Sequence, residues 1–225
     1  MIDFDARRTK MVERQLRRRG ISDERVLEAM ARVPRELFVT RRLHSRAYRD
    51  GALPIGCEQT ISQPWIVAAI AQALRLGGTE HVLEIGTGSG YSTAILSRLA
   101  ASVVSIERIE ALASEAERRL HDLACDNVDV RLGDGTLGLA EQAPFDAIAV
   151  HAAAPRLPPA LIDQLAVGGR IVIPLVAGVA EQLTVIARTE VDFELDSGAG
   201  LERTAIAPCR FVRLLGEHGF PDPDR

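Results

Sequence analysis

Cysteine is scarce and scattered: Cys57, Cys125 and Cys209 are the only three in 225 residues. An odd, dispersed set builds neither a disulfide framework nor a metal-ligand spacing, so the expectation is a reduced, cytoplasmic protein without a metal. No apolar run reaches the roughly 20 residues that span a bilayer. The start, Met1-Ile2-Asp3-Phe4-Asp5, lacks the basic segment and apolar stretch of a secretory signal. Internal repeats and low-complexity segments are absent too. Lysine is almost missing, Lys10 being the sole example, so arginine carries the basic charge.

Positive charge is short after residue 50. Residues 1–50 hold 14 basic and 8 acidic side chains, against 13 and 23 in the remainder, for a net of −4 overall. A basic start can be a nucleic-acid arm. Arg17, Arg18 and Arg19, however, fall among Glu, Leu and Val at helical spacing, and read better as a solvated helix face. No nucleic acid and no membrane are therefore expected as partners, and the chain is expected to act as a monomer. With 47% hydrophobic and 26% charged residues, the composition is that of a globular protein able to bury a substantial core.

The element pattern begins with two amphipathic helices, over 5–19 and 23–33, separated by Gly20 and ended by Pro34. Residues 40–62 form a long irregular stretch, which inside a compact domain is usually functional. Pro64 fits the first turn of a helix to about Leu74. Apolar, β-branched strands follow at about 81–85, 102–107, 127–132 and 145–150. Helices are expected at 89–100, 110–123 and 158–166, with a short helical turn at 137–142. Another strand is expected at 170–174. This alternation predicts an α/β fold with a doubly wound, mostly parallel sheet. Strand-like runs at 182–188 and 209–215, with no helix pattern between them, predict antiparallel C-terminal strands. Residues 190–206 carry no clear signal, and 217–225 read as a frayed tail. The expected organisation is a helical extension with a substrate loop over 1–75, packed on a main domain over 76–216.

The most informative stretch is Val82-Leu83-Glu84-Ile85-Gly86-Thr87-Gly88-Ser89-Gly90-Tyr91. A buried strand ends and three glycines fall at alternate positions, which lets the backbone turn tightly and approach a ligand. A dinucleotide fingerprint wants its third glycine three residues after the second, where this chain has Tyr91. Glu84 beside the loop would repel a pyrophosphate and welcome the sulfonium and amino group of S-adenosylmethionine. A nicotinamide cofactor and a ligand-free glycine turn are the alternatives. Glu107, at the tip of the next strand and 21 positions after Gly86, suits two ribose hydroxyls. Nicotinamide folds use the same device, and a merely exposed strand-end Glu is the plainer possibility. In Gly133-Asp134-Gly135, Asp134 can accept from an adenine amine or can belong to an ordinary Asp-Gly turn. The strand at 145–150 ends in His151-Ala152-Ala153-Ala154-Pro155. It lacks the Asn/Asp-Pro-Pro-aromatic motif that positions a nitrogen nucleophile, which leaves oxygen as the favoured acceptor.

Before the Pro64 helix, Thr60-Ile61-Ser62-Gln63 lie at its positive N-terminal end. They would make a hydrogen-bonding cradle for a carboxylate. Through these segments and others along its length, the chain resembles the protein-L-isoaspartate O-methyltransferase family. The likeness starts at Met11-Val12 and runs through Val33-Pro34-Arg35-Glu36, Leu53-Pro54-Ile55-Gly56, Thr60-Ile61-Ser62-Gln63-Pro64 and the glycine stretch. It continues with Ile106-Glu107-Arg108, Gly133-Asp134-Gly135, Pro144-Phe145-Asp146-Ala147-Ile148 and Gly168-Gly169-Arg170.

The resemblance implies a Rossmann-like, S-adenosylmethionine-dependent carboxyl methyltransferase. Its substrates would be isoaspartyl residues of damaged proteins, repaired through a succinimide. It implies Ser62 as the catalytic residue, and Thr60, Ile61, Ser62 and Val212 toward substrate. Toward the cofactor it implies Ile61, Ser62, Gln63, Glu84, Gly86, Thr87, Gly88, Ser89, Tyr91, Glu107, Arg108, Asp134 and Gly135. Three positions depart from the family pattern. Glu58 replaces a usual glycine, and either repels substrate or points to solvent. His151 stands where a small or hydroxyl residue is usual. Arg213 interrupts the Val-Pro-Leu-like run, here Phe211-Val212-Arg213-Leu214-Leu215, and either alters peptide selection or pairs with substrate carboxylates. The same scaffold turned to another carboxylate, or a binding module without turnover, are the competing functions.

Overall fold

A computed structural model describes residues 2–189 and 200–222. The chain opens with α1 (Phe4–Met11), whose first turn is capped by the Asp3 carboxylate accepting from Ala6 N. The helical path continues through one wide turn, Val12–Leu16, and a tight one, Arg17–Arg19. Gly20 ends it at φ 91°, with Ile21 N donating to Leu16 O. Asp23 caps α2 (Glu24–Arg32), which buries Val26, Leu27, Ala29 and Met30. Val33 turns extended ahead of Pro34, as the residue before a proline prefers.

The stretch expected to be irregular holds a hairpin, β1 (Leu53–Gly56) and β2 (Gln59–Ile61). Its turn residues Cys57 and Glu58 both take positive φ. Glu58 is exposed there, away from the interior. Pro64 then starts α3 (Pro64–Leu74), apolar on most of its circumference and almost wholly buried.

The alternating region gives β3 (His81–Ile85), α4 (Tyr91–Leu96), β4 (Ser102–Glu107), α5 (Glu110–Asp122), β5 (Val128–Leu132) and β6 (Phe145–Val150). It ends with α6 (Pro159–Asp163), β7 (Leu165–Ala177), β8 (Ala180–Arg188) and β9 (Leu201–Cys209). The seven-stranded sheet runs β5-β4-β3-β6-β7-β8-β9; β3 to β7 are parallel and the last two strands antiparallel. Alternation splits the core in two. Val82, Val103, Ala147 and Ala149 join α3 and the N-terminal helices in one apolar cluster. Leu83, Ile85, Val104, Ile106, Ile148 and Val150 join Leu161 and Leu214 in the other. The helical extension thus shares a continuous core with one sheet face. Among the described residues, no helix is long and apolar enough to cross a membrane.

Two expectations change at the C-terminal side. β7 begins at Leu165, inside the helix expected over 158–166, and carries Gly168 and Gly169 within it. A Cβ on Gly169 would stand 2.8 Å from the carbonyl oxygens of Asp146 and Ala166, so only glycine lets the strands approach this closely. The last strand is Leu201–Cys209, not 209–215; its mixed, largely exposed side chains hide it, because an edge strand is held by its neighbour's backbone. The remainder of the unplaced run, residues 190–199, lies outside the described residues. The apolar run after Cys209 crosses the strand tips instead: Ala153 N donates to Val212 O and Leu214 N to Ala153 O, both at 2.8 Å. The expected frayed tail is held as far as Asp222, which pairs with Arg108. Phe220 N donates to Leu214 O.

Candidate active site

The parallel strands β3, β4 and β6 end together, and the chain turns at Gly86, Gly88 and Gly90, all at positive φ. Gly86 N donates to Ile106 O at 2.8 Å and His151 N to Ile85 O at 2.9 Å, so the three tips are stitched into one rim. Glu107 finishes the rim. Its Oε2 accepts from Gly88 N at 2.9 Å and its Oε1 from Ile109 N at 3.0 Å, while the side chain still lines the cavity above the turn. Each carboxylate oxygen has a second lone pair, so capacity remains for two hydroxyls.

This first cavity gathers most of the residues singled out in the sequence. Thr60, Ile61 and Ser62 of the hairpin edge line one side; Gly86, Thr87, Gly88, Ser89 and Tyr91 line the turn. Glu107, Arg108 and Gly135 lie at the other end, with Val212 from the crossing run. A Cβ on Gly135 would stand 2.4 Å from Ile85 Cγ2, so glycine is needed there. The apolar flank of that end is Ile106 and Ile109. A polar turn, a carboxylate at a strand tip and an aliphatic slot suit, in order, an amino-acid portion, a ribose and a flat ring.

Three expected residues are placed elsewhere. Glu84 does not line the cavity: it is wholly buried, and its Oε2 accepts from Thr93 Oγ1 and Ser105 Oγ. Thr87 Oγ1 and Ser105 Oγ, 2.6 Å apart, extend this network to the turn. The strand's own alternation sends Glu84 to the same face as Val82, under the helices rather than into the ligand space. Asp134 faces an adjoining hollow. Its Oδ1 accepts from Thr136 N and Thr136 Oγ1, and its Oδ2 from Glu217 N, so this carboxylate fastens the C-terminal segment. Gln63 donates from Nε2 to Asp50 Oδ1 at 2.6 Å and lines a second cavity instead of the first. Tyr91 remains at the first cavity but is 1% exposed. Burial raises the pKa of its phenol, and its ring carries the Arg35 guanidinium at 4.7 Å.

The second cavity lies between the hairpin edge and the sheet's C-terminal side, lined by Ala52, Ser62, Gln63, Cys209 and Phe211 among others. It adjoins the first. Ser62 lines both, its hydroxyl has no partner among the described residues, and its carbonyl accepts from Arg35 Nη2 at 2.7 Å. His151 also lines both. Its Nε2 lies 2.8 Å from Ser92 Oγ and 3.2 Å from Glu84 Oε1. Arg213 lies along the first cavity and stacks on Phe220 at 5.1 Å, turned to the C-terminal segment rather than the second cavity.

Sequence reasoning missed Ser92, Gln59 and Ile109 as lining residues. Ile109 had a signal, since it follows the strand-tip Glu107 by two. Ser92 had none, because it enters through α4 rather than through the turn.

Cys209 in the second cavity gives a simple chemical check. Burial, with Glu181 adding, pushes its thiol up to about 11, which keeps the reactive thiolate scarce. Iodoacetamide at pH 8 should modify exposed Cys57 and leave Cys209 nearly untouched. Peptide mass mapping reads the result; fast labelling of Cys209 would mean a more open cavity than its burial implies.

The sequence model of the family described as protein-L-isoaspartate(D-aspartate) O-methyltransferase (PCMT) matches residues 6–217. A protein-L-isoaspartate O-methyltransferase of Syntrophus aciditrophicus (strain SB) is 50% identical over 217 residues, covering 96% of this chain and 97% of its own. A protein-L-isoaspartate O-methyltransferase 2 of Marinobacter nauticus is 52% identical over 220 residues, covering 97% of each. A solved protein-L-isoaspartate O-methyltransferase superposes with a TM-score of 0.82 at 29% identity, over 94% of this chain and 67% of that one. The fold alone is shared, at 24% identity and a TM-score of 0.76, with a Plasmodium falciparum structure in complex with S-adenosyl-L-homocysteine; it covers 96% of this chain and 99% of that one. With the family model spanning nearly the whole chain and relatives at about half identity over 97% of their own lengths, this chain belongs to the protein-L-isoaspartate(D-aspartate) O-methyltransferase family.

Proposed function

We propose that this chain methylates the α-carboxylate of isoaspartyl residues in damaged proteins, with S-adenosylmethionine as donor, and that transfer takes place where the two cavities meet. The observation that carries this reading is Ser62. Its unengaged hydroxyl lies on the wall shared by a cavity shaped for the donor and a second one open to a peptide.

When bound, the donor supplies a methyl group already activated by its sulfonium. The chain's own task is positional. An α-carboxylate, with a pKa near 3.5, is ionised at neutral pH and needs no general base. Holding its oxygen in line and stripping its water are the main catalytic contributions. Ser62 Oγ donates a hydrogen bond that orients this carboxylate. It is no nucleophile: no imidazole lies within hydrogen-bond reach of it among the described residues. Glu107 receives the ribose hydroxyls, the backbone of Gly86–Ser89 meets the amino-acid portion, and Ile106, Ile109 and Gly135 enclose the ring. Arg108 closes that end through its pair with Asp222. Glu84 acts from behind, fixing the turn through Thr93, Ser105 and Thr87. Gln63 and Thr60 border the peptide. The released ester then closes to a succinimide that hydrolyses in part to normal aspartate. We read the working form as a cytoplasmic monomer acting without nucleic acid or membrane.

Matched peptides carrying isoaspartate or normal aspartate at one site, with labelled S-adenosylmethionine, test the reading. Methylation of the isoaspartyl peptide alone, followed by methanol release, is the expected result. Methylation of the normal peptide, or of neither, overturns it. Ser62→Ala should lower kcat about 10- to 100-fold, the worth of one hydrogen bond to a charged group, roughly 1.5–3 kcal/mol. Affinity for S-adenosylhomocysteine should stay within about three-fold. A fully active Ser62→Ala enzyme would remove Ser62 from the site.

A further inference from the structure

Four residues line both cavities: Thr60, Ser62, Val212 and His151. They frame the aperture at which donor and peptide meet. Only His151 among them is titratable, and no step above uses it.

The protein fixes which edge of this imidazole faces the aperture. Nε2 lies 2.8 Å from Ser92 Oγ and 3.2 Å from Glu84 Oε1. Glu84 is wholly buried, and its Oε1 has no other partner. A carboxylate can only accept, and a lone pair on Nε2 this close to it would be repelled in a low-dielectric interior. Chemistry therefore assigns the proton of the uncharged ring to Nε2, leaving Nδ1 as an acceptor. Nδ1 has no partner among the described residues. The ring that carries it lines both cavities.

We propose that His151 is a specificity-determining residue whose Nδ1 accepts a hydrogen bond from the amide N–H of the isoaspartyl residue. The inference rests on the functional reading above. In an isoaspartyl residue, the carbon bearing the reacting carboxylate also bears the amide nitrogen. In a normal aspartyl side chain, the carbon bearing the carboxylate is a methylene. A hydroxyl donor for the carboxylate, at Ser62, and an acceptor for the neighbouring N–H, at His151, are complementary to the damaged residue. Against the normal side chain, the acceptor is left without a donor, which disfavours it.

The test is a double cycle between enzyme and substrate. The enzymes are wild type and His151→Gln; with its NH₂ in the place of Nε2 toward Ser92 and Glu84, its oxygen falls on the side away from Nδ1 and the aperture loses its acceptor. The substrates are an isoaspartyl peptide and the same peptide methylated on the isoaspartyl nitrogen. For wild type, N-methylation should raise KM about 3- to 10-fold, the worth of one neutral hydrogen bond. His151→Gln should raise KM for the unmodified peptide by a similar factor and become indifferent to N-methylation. Calorimetry of peptide binding to the S-adenosylhomocysteine-loaded protein should show the same pattern without turnover. His151→Ala gives the same reading if the Gln variant folds poorly. Additive penalties, or an unchanged KM in His151→Gln, overturn this inference alone. A wild type that leaves the isoaspartyl peptide unmethylated overturns the functional reading and this inference with it.

Discussion

Arg35→Ala should unfold about 10 °C or more below the wild type. The guanidinium is wholly buried, and burial lowers its pKa with no carboxylate beside it. What holds it is a set of neutral partners. Nε donates to Ala47 O at 2.8 Å, Nη2 donates to Ser62 O at 2.7 Å, and the Tyr91 ring lies beneath at 4.7 Å. Nη1 has no hydrogen-bond partner, so the π face takes up part of the charge. One side chain thereby ties the N-terminal extension, the substrate loop and the helix after the glycine turn. Truncating a large buried side chain costs about 3–5 kcal/mol, and two abandoned carbonyls add to that. Relief of the charge's desolvation works the other way, but the cavity remains. At roughly 2–4 °C per kcal/mol for a chain of this size, the melting point should fall by the stated amount. Arg35→Met separates the contributions. It keeps most of the volume and discards the charge, so it should melt closer to wild type while raising KM for the peptide, because Ser62 loses its anchor. Calorimetric melts and steady-state kinetics read both. An Ala variant melting within about 2 °C of wild type would show that Arg35 is not the latch described.

Glu107→Ala should weaken S-adenosylhomocysteine binding by about 100- to 1000-fold. The carboxylate is 6% exposed, and its oxygens already accept from Gly88 N and Ile109 N. It therefore shapes the turn and receives the ribose with the same two atoms. Hydrogen bonds to a charged group are worth about 1.5–3 kcal/mol, and two ribose hydroxyls at the low end of that range, about 3–4 kcal/mol together, give the expected loss. Glu107→Gln should be almost as damaging, since one of the two backbone donors would then meet an amide NH₂ group. Titration calorimetry with S-adenosylhomocysteine decides the matter. Binding by Glu107→Ala within three-fold of wild type would remove the ribose assignment.

These two residues differ in how visible they are in the sequence. Glu107 announces itself, because a strand ending in a carboxylate one crossover after a glycine turn has a fixed place in a doubly wound sheet. Arg35 sits in a motif of the family, yet nothing local says that its guanidinium reaches Ser62, 27 residues ahead. Glu84 was half legible. Its position at the turn was plain, and strand parity already placed it with Val82 rather than with Leu83 and Ile85. Asp134 was legible as a turn residue, but its bond to Glu217 N joins positions 83 apart.

By itself, the sequence determined the parallel sheet, the glycine turn, the helix starting at Pro64, the strand-tip Glu107 and the family. Each of these is set by a residue's own backbone preference or by a short period, which neighbours a few positions away suffice to express. The tertiary structure alone decided which distant partners each side chain meets. It gave Glu84 the hydroxyls of Thr93 and Ser105, and Asp134 the C-terminal segment. It laid the run after Cys209 across the strand tips and brought His151 to the wall that Ser62 shares. Those outcomes depend on which distant elements compete for the same space and the same hydrogen bonds, and no local pattern encodes that competition.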